Sequence, residues 1–360
     1  MTGLVQTNAE ALRIRALFEA KGAQLVETDI LQPAETLLDL YGEDIRGRAY
    51  VTHDGLRGEM MLRPDFTVPV VQWHMETNAE PARYTYSGKV FRMQEDDDRR
   101  PNEYLQVGYE VFDGKSPSTA DAEVFTTIAD ALSGLPVRAA TGDLGILMAA
   151  VRGLDTTDAR KAALLRHVWR PRRFRNLLDR FGGKTPAPAS RTALLAQSDP
   201  LAGVEPHGLR SVAEVEARIT ALRADASAAP IASEQIRLLD ELLSLRETCP
   251  NVLSNLRDIA VDMPSISDAV SRFAERLDAL SAAGVDVDTL EYEGNFGRTT
   301  LEYYDGFVFG FYSTQRPDLP PVATGGRYDA LTSVLGGGRA VPAVGGVIRP
   351  EITIALKDQA

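Results

Sequence analysis

Apolar residues near the start of the chain recur at helical spacing. Ala11, Ile14, Leu17 and Phe18 fall on one face, which predicts a helix over Thr7–Lys21, with Thr7 and Glu10 as a capping-box pair and Gly22 as the stop. A strand-like AQLVETDILQP follows, then a short helix ending at LYGED and two alternating strands, RAYVTH and EMMLRP. Helix is expected again over Phe66–Met75. Next, RYTYSGKVFRM and EYLQVGYEVF read as two strands joined by the polar loop QEDDDRRPN, and Ala120 to about Leu132 returns to helix.

From roughly Asp155 to Ala283 the spacing is helical, broken by GGKTPAPAS, by the loop around SDPLAGVEPHG and by RADASAAP. Strand patterning resumes near Thr289. The stretch RTTLEYYDGFVFGFY, Arg298–Tyr312, reads as a half-buried strand on which Tyr303 and Tyr304 point to opposite faces. Strands on both sides of a long helical segment predict an α+β fold, a mostly antiparallel sheet flanked by helices, with 1–154 and 286–360 as two parts of one core and 155–285 as a mainly helical insertion.

Composition narrows the classes. The chain has 360 residues, 44% of them hydrophobic and 25% charged, which are ordinary values for a globular protein. No apolar run approaches the roughly 20 residues that cross a bilayer, and MTGLVQTNAEALRIR lacks the layout of a secretion signal. A single cysteine, Cys249, allows no intrachain disulfide and fits a reducing cytoplasm. A net charge of −12 argues against nucleic acid as the main partner. His53, His74, His167 and His207 have no ligand spacing, so neither metal nor cofactor is expected.

Within Glu103–Phe112, alternation sets Tyr104, Gln106, Gly108, Glu110 and Phe112 on one face. Gln106 and Glu110 then lie about 13 Å apart, with Gly108 leaving a gap in which a ligand could rest. Glu110 suits an ammonium and Gln106 a second polar atom; a solvent-facing strand with scattered polar residues is the alternative. MLRPDFT places Arg63, Asp65 and Thr67 at a strand-to-helix junction, where Asp65 and Thr67 are equally N-caps. GGKT at Gly182–Thr185 fails as a phosphate loop, since Leu178 stands at the upstream glycine position. The arginine-rich LLRHVWRPRRFRNLLDRF is either a partner surface or a helix pair with a buried apolar side.

LRPDFT, VFRMQ, NEYLQVGYEVFDG, LEYYDGFVF, GGRYDAL and AVGGVIRPEI occur in the order found in histidyl-tRNA synthetase-like proteins of class II, which the first 130 and last 70 or so residues resemble. YGEDIRGRAYV, RPDFT and TGDLGIL resemble one branch, the regulatory subunits of ATP phosphoribosyltransferase. The resemblance implies a histidine pocket at Asp65, Thr67, Arg92, Gln106, Glu110, Tyr304 and Tyr328. Arg92 also matches the second class II motif and Arg349 the third, where the synthetases handle ATP.

Departures from that pattern bear on catalysis. Thr299 replaces the arginine that stabilises charge during carboxylate activation, and Arg298 is one residue off, on the opposite strand face. Gln94 and Ile348 stand where acids are expected, and Asn102 where an arginine is. Glu95–Asp98 would repel a triphosphate, and after the third motif no anticodon-binding domain is expected. The resemblance implies a cytoplasmic, non-catalytic subunit, homodimeric through the first motif at Leu25–Tyr41. It would join the short-form catalytic subunit in a hetero-octamer, activate it and contribute to histidine feedback in histidine biosynthesis. Two alternatives are a truncated synthetase paralogue that activates histidine or an analogue, and an RNA-binding adaptor; tRNA and membranes are not expected partners.

Overall fold

A computed structural model describes residues 3–41, 43–77, 80–94, 101–203, 208–298 and 303–358. The first half runs α1 (Leu4–Ala20), β1 (Gln24–Leu25), β2 (Leu31–Pro33), α2 (Ala34–Tyr41), β3 (Val51–Asp54), β4 (Gly58–Leu62), α3 (Thr67–Thr77), β5 (Ala82–Phe91), β6 (Glu103–Phe112), α4 (Pro117–Ala131), β7 (Val137–Asp143) and α5 (Leu144–Arg152). Then come α6 (Asp158–Arg166), α7 (Pro171–Phe181), α8 (Ala189–Leu195), α9 (Val212–Ser227), α10 (Ser233–Ser244), β8 (Arg246–Thr248), α11 (Cys249–Asp262) and α12 (Ser267–Ala282). The chain closes with β9 (Glu291–Glu293), β10 (Phe307–Ser313), β11 (Ala323–Arg327), α13 (Asp329–Leu335), β12 (Ala343–Ile348) and α14 (Pro350–Lys357).

Among the described residues nine strands form one sheet in the order β1-β5-β6-β12-β11-β10-β7-β9-β8, and β2-β4-β3 form a second. Within the large sheet only β1·β5 and β7·β9 are parallel. The centre of the sheet therefore joins residues 82–112 directly to residues 307–348, across the helical stretch between them. That stretch is not purely helical: β8 adds the outermost strand, antiparallel to β9. Its helix α12 also reaches the core. Arg276, 4% exposed, donates to Asp121 of α4 at 2.7 Å and to Asp143 of β7 at 2.8 Å, while Arg327 donates to Asp121 at 2.6 Å.

The pleat decides which side of β6 meets the core helices. Tyr109 packs its ring against Phe18 of α1 at 5.3 Å, so odd positions face that helix. Even positions face the other way, where Phe112 stacks on His74 of α3 at 3.8 Å.

Two local expectations are corrected. α1 begins at Leu4, so Thr7 and Glu10 are not a capping pair but lie buried inside the helix. Glu10 bonds Arg13 at 2.8 Å, Lys357 at 2.8 Å and Thr353 at 3.1 Å, linking α1 to α14. Two cations outcompete a backbone amide for that carboxylate. The strand expected over Arg298–Tyr312 begins only at Phe307. Tyr303 and Tyr304 precede it, both buried, with rings edge to face at 4.9 Å rather than on opposite faces of a strand.

Candidate functional site

A cavity of about 740 Å³ opens on the even face of β6. Asp65, Thr67, Gln106, Glu110 and Tyr304 line it together, drawn from three separate segments. Tyr104 lines it further along the strand, about 20 Å from Glu110 at strand rise. There the guanidinium groups of Arg92 and Arg349 stand 6.0 and 5.9 Å from the Tyr104 ring.

Glu110 is 1% exposed and held by three hydroxyls: Thr67 donates at 3.1 Å, Tyr86 at 2.8 Å and Tyr328 at 2.5 Å. Among the described residues no lysine or arginine bonds it. Burial pushes its carboxyl up to about 7; the three hydroxyls pull the other way and Asp65 adds to the rise. Space for the carboxylate comes from Gly345, directly across on β12, where a Cβ would sit 1.4 Å from Oε2. Gln106, also 1% exposed, leaves its buried Oε1 without a partner. The cavity thus holds two unmet acceptors about 13 Å apart along β6, a carboxyl with no cation bonded to it among the described residues and a carboxamide oxygen. Donors and positive charge would complete that chemistry.

Asp65 serves both readings, since its Oδ1 accepts from the Val68 amide at 3.3 Å, capping α3, while the residue lines the cavity. Arg92 lines the cavity and donates to the Pro64 carbonyl at 2.7 Å. Arg349 donates to the Pro321 carbonyl, and burial, with Arg92 nearby, lowers its proton affinity. Gln94 lines the cavity beside Pro101.

Other expected positions differ. Tyr328 is fully packed beneath Glu110 and is not among the lining residues. Ile348 is wholly buried in β12 and is likewise not part of the lining. Gly108 leaves no gap for a ligand: a Cβ there would lie 2.0 Å from the Tyr86 ring, which fills the space. Thr299 and Glu95–Asp98 lie outside the described residues.

Two participants were missed in the sequence. Tyr86 pairs with Gly108 across β5·β6, a tyrosine-opposite-glycine signal that is visible once register is known. Trp169 donates from Nε1 to the Tyr304 carbonyl at 2.9 Å. Arg298 is 2% exposed and donates to the Val168 carbonyl at 2.7 Å, away from the cavity lining.

A largely antiparallel sheet flanked by helices, with a cavity that runs along β6 from the Glu110 carboxyl past the Gln106 carboxamide to the guanidinium groups beside Tyr104, defines a class II synthetase-like protein. The family model described as histidyl-tRNA synthetase matches residues 6–351. The ATP phosphoribosyltransferase regulatory subunits of Brucella canis and Brucella ovis are each 30% identical over 356 residues, covering 92% of this chain and 93% of theirs. The chain belongs to the histidyl-tRNA synthetase family, on the branch of the ATP phosphoribosyltransferase regulatory subunits. In fold it is similar to a Bacillus halodurans protein described as an ATP phosphoribosyltransferase regulatory subunit/histidyl-tRNA synthetase. That match has TM-score 0.68 and 20% identity, covering 98% of this chain and 79% of the other. A histidine–tRNA ligase subunit from Alicyclobacillus acidocaldarius matches with TM-score 0.61 and 20% identity, covering 98% and 93%.

Proposed function

We propose that this protein is the non-catalytic regulatory subunit of ATP phosphoribosyltransferase, activating a short-form catalytic subunit and contributing to histidine feedback in the first step of histidine biosynthesis. The observation that carries the reading is the likeness to regulatory subunits over nine-tenths of both chains. The cavity supports it: Glu110 offers an acid and Gln106, further along β6, an acceptor to a cationic amino acid, and histidine carries both a cation and further donors.

The non-catalytic part rests on Gln94, Thr299 and Ile348, which differ from the residues that serve ATP in the synthetases. Each missing transition-state contact costs about 10²–10³-fold in rate. The phosphoribosyl transfer would occur on the partner chain, and the coupling between the two chains is reciprocal. Cytoplasmic residence, a homodimer through Leu25–Tyr41 and a hetero-octamer with the catalytic subunit complete the proposal, as does the division of the chain at 154/155 and 285/286.

Mixing the purified subunits tests it, with phosphoribosyl-ATP formation and the mass of the complex as readouts. Activation with a stable complex is expected. Separate species with unaltered partner kinetics would overturn the reading. Histidine-dependent exchange of pyrophosphate into ATP by this chain alone would instead favour the truncated synthetase paralogue.

A further inference from the structure

The corner between α6 and α7 is bonded at two points, once to Arg298 and once to Tyr304 of the cavity lining. The Val168 carbonyl accepts from Arg298 Nε at 2.7 Å, and the next residue, Trp169, donates to the Tyr304 carbonyl at 2.9 Å. Phe174, in the first turns of α7, lies 4.8 Å beneath the Arg298 guanidinium. Arg298 also donates to Asn295 Oδ1 at 2.8 Å, while its Nη2 is buried and unpartnered.

Among the described residues no carboxylate bonds this guanidinium; burial in that state is costly, and an aliphatic residue would fill the same space without that cost. Its two directional bonds are what an aliphatic residue cannot supply. The wall it helps to hold is close to the carboxyl at the heart of the cavity. The Tyr303 ring meets the Tyr328 ring edge to face at 5.9 Å, and Tyr328 bonds Glu110. On the core side the same wall is fixed by Asp305, which accepts from the amides of Asp329 at 3.1 Å and Ala330 at 2.6 Å and donates its own amide to the Arg327 carbonyl at 3.0 Å.

We infer that Trp169 and Arg298 are positioning residues: the Val168–Trp169 corner holds the Tyr303–Tyr304 wall in its ligand-receiving place and carries any displacement of that wall to α7. The inference rests on the reading of the cavity as an amino-acid site. A ligand that presses on Tyr304 pulls on the Trp169 indole, and α7 presents Arg172 and Arg173 to the surface.

The test uses the full chain with histidine as probe. The sequence has two tryptophans, so Trp73→Phe leaves Trp169 as the sole indole reporter. Its emission is expected to shift on titration with histidine, with the midpoint found by calorimetry. Trp169→Phe, which loses one buried hydrogen bond, and Arg298→Met, which loses two, are each expected to weaken histidine binding at least about 5-fold. Both are also expected to speed exchange of the Asp305 amide by ~10-fold while β5 and β6 amides are unchanged. Arg298→Lys, which keeps a donor for Val168, is expected to restore protection. Unchanged affinity and unchanged exchange in both variants would overturn the inference, as would equal loosening of β5 and β6, which marks a merely structural role. If the wild-type chain takes no histidine, the amino-acid reading fails, and the Asp305 exchange result decides the positioning role by itself.

Discussion

Replacing Glu110 with glutamine is expected to stabilise the protein above neutral pH while weakening any binding of histidine. The carboxyl rises from its ordinary 4.5 to about 7 in the folded chain, because burial outweighs the three hydroxyls that favour the anion. In the unfolded chain it ionises near 4.5. Between those values the folded state binds more protons than the unfolded one, so stability falls as pH rises from about 4.5 to 7. The full loss is about 3 kcal/mol above that window. Glutamine mimics the protonated form: its oxygen accepts from Thr67 and Tyr86, as Oε1 does now, and its amide faces the Tyr328 hydroxyl, which turns to accept. Urea unfolding of both forms from pH 5 to 8.5 isolates the effect, since every other titrating group cancels in the difference. Glu110→Gln should match wild type near pH 5 and exceed it by about 2–3 kcal/mol at pH 8. Histidine, followed by calorimetry at pH 8, should bind the variant at least ~10-fold more weakly, through loss of a charge-assisted contact. A variant destabilised equally at every pH would show that Glu110 is already ionised and compensated in the fold, and would refute the argument.

Asp121→Asn should destabilise by about 3–5 kcal/mol in urea, because Arg276 and Arg327 would be left as buried cations that share one fewer carboxylate; a loss below about 1 kcal/mol would mean that Asp143 and Asp329 suffice for them. His74, pushed down to about 4 by burial and then by Arg339, is neutral in the fold, so its contribution is complete above pH 6.5 and is lost as pH falls toward 4. His74→Gln should flatten that limb of the stability profile by about 2–3 kcal/mol, and an unchanged acid limb would contradict it. Gly108→Ala should cost about 1–3 kcal/mol or more and weaken histidine binding, since the added methyl displaces Tyr86 from Glu110; full binding in a stable Gly108→Ala protein would show that Tyr86 is dispensable.

Local patterning made β5 and β6 legible, because alternation over ten residues and a polar connection leave few other readings. It failed where tertiary contacts outrank local ones. Thr7 and Glu10 have the spacing of a capping box, yet Glu10 answers to Lys357 at the far end of the chain. The run of aromatic and β-branched residues through Tyr303 and Tyr304 has strand propensity, yet Asp305 is pinned by the start of α13 and the strand begins two residues later. The Val168–Trp169 corner was legible only as an arginine-rich amphipathic segment, since its two bonds to Arg298 and Tyr304 span 130 and 135 residues.

The same reasoning explains how Glu110 can exist at all. A carboxyl at the centre of a sheet needs donors and room, and neither is local: its hydroxyls come from positions 43, 24 and 218 residues away. The room comes from two glycines, one on each side of the β6·β12 pair. Gly108, on β6 itself, admits the Tyr86 ring across β5, and Gly345, on β12, admits the carboxylate. Read singly, Gly108 suggests a gap for a ligand; read with Tyr86 it is a socket for a side chain that holds Glu110. Three hydroxyls orient the carboxyl and leave its charge uncompensated, while Gln106 keeps an unpartnered acceptor further along β6. A fold selected for stability alone would fill such a place with an aliphatic side chain. Retaining the acid, the cage around it and the glycines that make space for both is the arrangement expected where a cationic ligand completes the site.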